Sequence, residues 1–468
     1  MFMRTIYDEG LAQAAYLIGC QATGEAILFD PLRDIDRYIN LAEANGLRIV
    51  AVAETHIHAD FVSGARETAD RVGAHVYVSG EGGDNWRSGW LAGTSHTELK
   101  HGNRFSIGNI GFEAIYTPGH TPEHMVYLVT DGGVDADAAI GLISGDFLFV
   151  GDLGRPDLLE TAAGQAGTME AGAHDLYRSL DRLSSIPEFV QVWPGHGAGS
   201  ACGKALGAVP MSTIGYERRF NPAIKLAGSE SDFVGYILDG QPEPPMYFAD
   251  MKRLNRDGPP VLGSLPEPER ISVEQAGAID PIEFTIIDTR NWESFVEGHV
   301  PGSLSFPLGG SFATDAGSMV GVDDRICLLV GEDRLDDTVR QLVRIGCDRI
   351  ESWCPADEVT GSPASSAKVR EITVQGLSAL DPGDRTILDV RRRSEFDAGH
   401  IPGASNISHT RLRGRFGEIP DGEPIYVSCR SGKRSARSVA YLKRSGREAV
   451  NVRGGWLAWE EAGGAVEK

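Results

Sequence analysis

Apolar positions in this chain come as short β-branched runs that end on turns carrying glycine or potential ligands. The run Arg48–Ala53 leads into Glu54, Thr55 and His56, and Ala14–Cys20 is another such run. Runs of this length bounded by turn signals predict buried strands. In the last third of the chain the pattern repeats itself. Residues 286–308 and 387–409 match at a constant offset of 101, which sets Asp288 against Asp389, Arg290 against Arg391, Phe295 against Phe396, His299 against His400 and Gly302 against Gly403. Each copy starts with a strand ending in Asp-x-Arg, continues through a helical stretch and reaches a Gly-His-(Val/Ile)-Pro-Gly turn. Later in each copy a second apolar strand runs into a loop and a helix, so the order strand, helix, strand, helix predicts an α/β domain with a parallel sheet.

A chain of 468 residues is too long for one core. Seven prolines fall between Asp239 and Arg270, a density that fixes backbone angles and removes N–H donors and marks a linker or an ordered strap. A second, shorter break is Thr360–Lys368, TGSPASSAK. The expected division is a domain over 1–238, a Pro-rich linker over 239–269, a domain over 270–358, a linker over 359–369 and a last domain over 370–468.

The formal net charge of -22 argues against nucleic acid or an anionic membrane as a partner, although a local basic loop can still receive a small anion. No apolar run approaches the length needed to span a bilayer. The first residues, MFMRTIYDEG, carry acids where a secretory signal would be basic and then apolar. The six cysteines lie far apart without a Cys-x-x-Cys pair, which predicts a cytoplasmic protein whose thiols act singly.

One of those thiols stands apart. Cys429 ends the strand Ile425–Ser428 and is followed by Arg430, Ser431, Gly432, Lys433, Arg434 and Ser435, then an amphipathic helix. A thiol at such a turn faces free backbone N–H groups and the positive end of the helix dipole. Arg430, Lys433, Arg434 and Arg437 add positive charge, and all of this favours a thiolate or a terminal persulfide anion. A Cys-x5-Arg phosphatase loop would need arginine at 435, where this chain has Ser435. The bland alternative is a buried strand cysteine, which the basic, glycine-bearing flank speaks against. The duplicated pattern resembles the rhodanese family and implies two rhodanese-like α/β domains, with Cys429 as the catalytic nucleophile of the second. In the first copy its place falls on Leu329 or Val330, followed by Gly331, Glu332, Asp333 and Arg334, so that copy is expected to be a degenerate domain without the active cysteine. Cys327 and Cys20 read as core.

In the N-terminal part, His56, His58 and Asp60 alternate along an extended segment and can converge. His120, Asp146 and His196 follow, each on a glycine-bearing turn after a strand. This ordered set resembles the metallo-β-lactamase superfamily over about residues 1–225 and implies an αββα sandwich. Where the superfamily's dinuclear hydrolases have Asp-His, this chain has Asp60-Phe61, and phenylalanine cannot ligate. Among subgroups, residues 151–157 resemble the Gly-Arg-Thr-Asp segment of persulfide dioxygenases, with Pro156 departing from it. That resemblance implies one Fe(II) per chain on His56, His120 and Asp146, a two-histidine, one-carboxylate set suited to oxygen-activating iron. It leaves His58, Asp60 and His196 to orient ligands or contact substrate. It also gives Arg155 the role of holding an anionic thiol carrier, with Asp157 bracing it; an ordinary ion pair is the alternative. Cys202, in a glycine-rich loop after His196, is expected to bind substrate at the cavity mouth or else to be a small buried residue.

Together these resemblances imply a persulfide dioxygenase fused to a sulfurtransferase. Its expected partners are a low-molecular-weight persulfide (of glutathione, coenzyme A or a similar thiol), O₂, and sulfite and thiosulfate, and a homo-oligomer is expected. A dizinc thioester hydrolase of glyoxalase II type carrying rhodanese modules is the competing expectation. A third is a rhodanese pair that only senses sulfur or docks a partner.

Overall fold

The computed structural model describes residues 1–134, 136–161 and 167–468. The chain forms two compact units, Met1–Pro244 with Phe248–Ser264, and Pro245–Tyr247 with Leu265–Lys468.

In the first unit two six-stranded sheets pack face to face. The first holds Phe2–Asp8, Gln13–Cys20, Glu25–Phe29, Arg48–Ala53, His75–Ser79 and His96–Leu99, side by side in chain order. The second holds Arg104–Ile107, Ile110–Tyr116, Met125–Asp131, Gly141–Gly145, Gln191–Pro194 and Ser212–Thr213, again in chain order. Tyr16, Phe29 and Ala53 of one sheet meet Phe112, Tyr127 and Trp193 of the other in a shared core. Phe29 anchors the contact, with its ring 5.1 Å from Tyr127 and 5.5 Å from Phe112. Helices cover both outer faces. Asp36–Ala44 and Ala65–Val72 lie on the strand Arg48–Ala53, while Leu176 and Phe233 from Thr168–Ser179 and Glu230–Leu238 pack on Val126, Leu142 and Val192. The result is the αββα order of layers.

The stretch read from prolines as a linker over 239–269 contains a helix, Phe248–Asp257, and much of it folds back on the first unit as a strap. The Asn255 amide donates to the carbonyls of His58 and Phe61 at 2.8 and 2.7 Å and accepts from the Ser63 N–H at 2.8 Å. Glu67 accepts from the N–H groups of Leu262 and Gly263, both at 2.8 Å. Proline density thus marked a chain without regular ladder partners, not a loose one.

The second unit holds two five-stranded parallel sheets of identical order. One runs Glu269–Arg270, Ile350–Pro355, Arg325–Val330, Phe284–Asp288, Leu304–Ser305. The other runs Arg370–Ile372, Ala449–Val452, Ile425–Ser428, Thr386–Asp389, Ser405–Asn406. Asp288 lies opposite Leu329, and Asp389 opposite Ser428. That register fixes Val330 as the counterpart of Cys429. Cys327 and Cys20 are buried in core clusters. Among the described residues no helix is long and apolar enough to cross a membrane.

Candidate active sites

The first site gathers where strands of both sheets of the first unit end. His56 follows Arg48–Ala53, His120 follows Ile110–Tyr116, Asp146 follows Gly141–Gly145 and His196 follows Gln191–Pro194. Donor atoms of His56, His120 and Asp146 all lie within 4.8 Å of one another, and all three residues are buried. Each imidazole is held from behind. His120 Nδ1 donates to the Arg155 carbonyl at 3.0 Å, and His196 Nδ1 to the Ala12 carbonyl at 3.1 Å. His56 Nδ1 donates to Thr55 Oγ1 at 3.0 Å, a hydroxyl whose own proton goes to Asp30 Oδ2. These contacts turn every Nε2 inward with its lone pair free. His120 Nε2 then stands 3.5 Å and His56 Nε2 4.0 Å from Asp146 Oδ2, and His196 Nε2 3.6 Å from Asp146 Oδ1.

Asp146 decides whether a cation fits. Both of its carboxylate oxygens are buried without a hydrogen-bond partner. Its carboxyl nevertheless stays below the ordinary range, because the surrounding histidines outweigh the cost of burial. Burial and its neighbouring imidazoles hold His56 far below the usual histidine range, and burial lowers His120. Neutral imidazoles around an unsatisfied carboxylate are what a divalent cation requires.

His58 behaves differently. Burial opposes charge on it, but Asp30 and Glu54 prevail and hold its pKa at about 9, with Nε2 turned to Asp30 at 3.1 Å. Asp60 meets His196 Nε2 at 3.3 Å, and Cys202 joins these two in a second buried group with donor atoms within 4.8 Å. Cys202 is 2% exposed. Burial pushes its thiol well up, with Asp60 and Asp146 adding to the effect. Arg155 is 1% exposed, and its guanidinium binds both oxygens of Asp157 at 2.7 and 2.6 Å and the Ala201 carbonyl at 2.9 Å. Through these contacts Arg155 ties Asp157 to the loop leading into Cys202.

The second site is the loop after Ile425–Ser428. Cys429 is 1% exposed, and its Sγ accepts from the Gly432 N–H at 3.1 Å. Gly432 has φ +94, the left-handed conformation that lets this N–H turn back to the sulfur just before the helix Lys433–Arg444 begins. Ser435 Oγ lies 3.4 Å from Sγ but donates to Asn451 Oδ1 at 2.7 Å. Asn451 Nδ2 donates to Glu371 Oε1 at 2.8 Å, which also accepts from the Trp292 indole at 3.0 Å. Two of the cations expected near the sulfur also hold carboxylates, and Arg434 still interacts with Cys429 electrostatically. Arg434 forms a bidentate pair with Glu395 at 2.7 and 2.8 Å, and Arg437 pairs with Asp315 at 2.8 Å. Arg430 and Lys433 are exposed, and the Gly432 N–H at the start of the helix points at the sulfur.

Residues 8–196 match the model of the metallo-beta-lactamase superfamily, and residues 375–462 that of the rhodanese-like domain. The crystal structure of a metallo-beta-lactamase from Staphylococcus aureus subsp. aureus COL is 37% identical, covers 76% of this chain and 99% of its own, and superposes with a TM-score of 0.69. The chain belongs to the metallo-beta-lactamase superfamily. Its superfamily domain is also similar to the hydroxyacylglutathione hydrolase of Rhodospirillum rubrum, 32% identical over 39% of this chain and 60% of that protein. Likewise it is similar to persulfide dioxygenase ETHE1, mitochondrial, of Bos taurus, 24% identical over 49% of this chain and 78% of that protein.

Several residues of the metallo-beta-lactamase domain escape a reading of the sequence. His124 sits against the cluster, its Nε2 accepting from the Asp146 N–H at 3.1 Å and its Nδ1 bonded to Thr117 Oγ1 at 2.9 Å. Its spacing of four from His120 was the available signal. Asp30 receives the Thr55 N–H and hydroxyl as well as His58, and only the strand-to-Asp-Pro junction hints at it. Glu123 caps the Ile57 N–H at 2.8 Å, and burial raises its pKa to about 7.

Proposed function

We propose that this chain oxidises low-molecular-weight thiol persulfides with O₂ to sulfite in its first unit and transfers sulfane sulfur through Cys429 in its second. The observation that carries the oxidation is the donor set: two inward Nε2 atoms and an unsatisfied carboxylate, with Phe61 where a histidine would complete a second nitrogen-rich site. His56, His120 and Asp146 would hold one Fe(II), which supplies the redox chemistry that O₂ needs. The reaction balances as RSSH + O₂ + H₂O giving RSH + SO₃²⁻ + 2 H⁺. The similarity to a protein named persulfide dioxygenase supports this reading. Cys202, Asp60 and His196 would line the persulfide's place, with Arg155 and Asp157 fixing the Cys202 loop.

At Cys429 the thiolate attacks the outer sulfur of RSSH; the carrier's S–S bond breaks, a new one forms on Cys429, and RS⁻ leaves with the proton. Sulfite then attacks that outer sulfur, giving thiosulfate and restoring the thiolate. The Gly432 N–H and the helix terminus stabilise the anion at each stage. In the reverse direction thiosulfate loads Cys429 by the same bond exchange.

Protein prepared without oxygen and loaded with Fe(II) is expected to take up one O₂ per persulfide and release sulfite. Bound zinc with no oxygen uptake would sink this reading. One observation favours a second reading, a two-metal thioester hydrolase: the Asp60, His196 and Cys202 donors stand beside the first set. Two metal equivalents per chain together with thioester turnover would establish it.

A further inference from the structure

Within the second unit a cleft of about 650 Å³ opens on the loop that holds Cys429. That size falls within the range of small-ligand sites, about 300–1,000 Å³. Its walls come from both copies of the repeat. Gly432, Lys433 and Arg453 line it from the copy bearing the cysteine, and Trp292, Glu293 and Glu297 from the copy without one. The two walls are tied together, since the Trp292 indole, Glu371, Asn451 and Ser435 form one hydrogen-bonded chain that ends beside Cys429 Sγ.

The exposed charges in the cleft are sorted by wall; Glu371, on the sulfur-bearing side, is half-buried and its Oε1 is taken up by the Trp292 indole and the Asn451 amide. Lys433 and Arg453 are exposed on the sulfur-bearing side, and Glu293 and Glu297 are exposed across from them. Arg437 also reaches the cleft, but its pairing with Asp315 at 2.8 Å neutralises it. Ser305 Oγ, on the wall of the inactive copy, is buried and has no hydrogen-bond partner, a polar group left for a ligand.

We propose that the inactive copy supplies the carrier-recognition wall for Cys429, and that the carrier is a small zwitterionic thiol persulfide bearing both a carboxylate and a free ammonium group. The carboxylate pairs with Lys433 and Arg453, the ammonium with Glu293 and Glu297, and the outer sulfur reaches Cys429. Polyanionic carriers meet repulsion from the glutamate wall. This assignment rests on the sulfurtransferase reading of Cys429. It also accounts for an inactive copy whose place in the fold is otherwise without a task.

The test measures persulfide on Cys429 by intact mass in the full chain, without oxygen so that the first unit is silent. Three donors are compared: glutathione persulfide, coenzyme A persulfide (phosphates and no ammonium) and thiosulfate (no carrier). Replacing both exposed glutamates, Glu293→Lys with Glu297→Lys, is expected to raise the half-saturating glutathione persulfide concentration about tenfold and not to weaken loading from thiosulfate, a dianion relieved of the same repulsion. Coenzyme A persulfide should load the variant at least as well as the parent protein. An unchanged response to glutathione persulfide, or an equal loss with thiosulfate, overturns the recognition wall. A parent protein that takes sulfur from none of the three donors instead overturns the sulfurtransferase reading beneath it.

Discussion

The two copies of the repeat share their strand order and the ion pair that staples it, and they differ sharply at the loop after the central strand. Arg290 grips Asp288 with Nη2 at 2.6 Å and reaches the Gly298 carbonyl at 2.9 Å; Arg391 does the same with Asp389 at 2.7 Å and Gly399 at 2.8 Å. Phe295 stacks on His299 at 3.9 Å, and Phe396 on His400 at 3.6 Å. Beyond the strand the copies part. One presents Val330 and Gly331 at φ -64, then acids at Glu332 and Asp333; the other presents Cys429, Gly432 at φ +94, and Lys433 with Arg434. The Asp-x-Arg and Gly-His-x-Pro-Gly signatures therefore belong to the scaffold, and their presence says nothing about chemistry. What separates the copies is a handful of loop residues and the backbone angle that Gly432 permits.

This contrast can be broken at its strongest point first. Cys429→Ser should lower persulfide transfer by at least about a thousandfold, since a hydroxyl is a poor sulfur nucleophile. Intact mass after donor treatment would show it, and residual loading would mean a different thiol is in use. Next, removing the buried carboxylate of the staple should cost about 3 kcal/mol in either copy, because an unpaired guanidinium is left inside. Urea unfolding of Asp288→Ala and Asp389→Ala chains measures this; a large loss in only one copy would contradict the shared skeleton. Gly432→Ala, placed at φ +94, should cost about 1–2 kcal/mol and slow loading, because the N–H facing Sγ is displaced. Gly331→Ala, at φ -64, should stay within about 0.5 kcal/mol in a thermal melt. The smallest effect sharpens the comparison most. Val330→Cys in a Cys429→Ser background should gain no sulfur, because Glu332 and Asp333 disfavour an anion there and no N–H has been turned toward it.

The repeat was legible because its signatures keep a constant offset, and the buried grouping of His56, His120 and Asp146 because these residues follow strands in order. Other features were hidden for identifiable reasons. That Arg434 and Arg437 also pair with Glu395 and Asp315 was hidden, because those partners are 39 and 122 residues away and carry no local signal. For Cys202 the sequence left two readings, a cavity-mouth thiol or a small buried residue, and its burial rests on contacts such as that of Arg155 with the Ala201 carbonyl, 46 residues apart and without a local signal. Asn255 lay in a stretch classed by its prolines, and nothing in composition announces a side chain that satisfies three backbone groups elsewhere.

That asparagine also sets a timetable. It stands 197 and 194 residues beyond the two carbonyls it holds, at His58 and Phe61. As the chain leaves the ribosome, all of the cluster's histidines emerge before the strap that secures their loop. The hydrogen bonds that hold the loop carrying His56 and Asp60 can therefore form only once residue 255 has emerged. A fragment cut at residue 238, where the first boundary falls by sequence, would keep every ligand and never acquire the fastening.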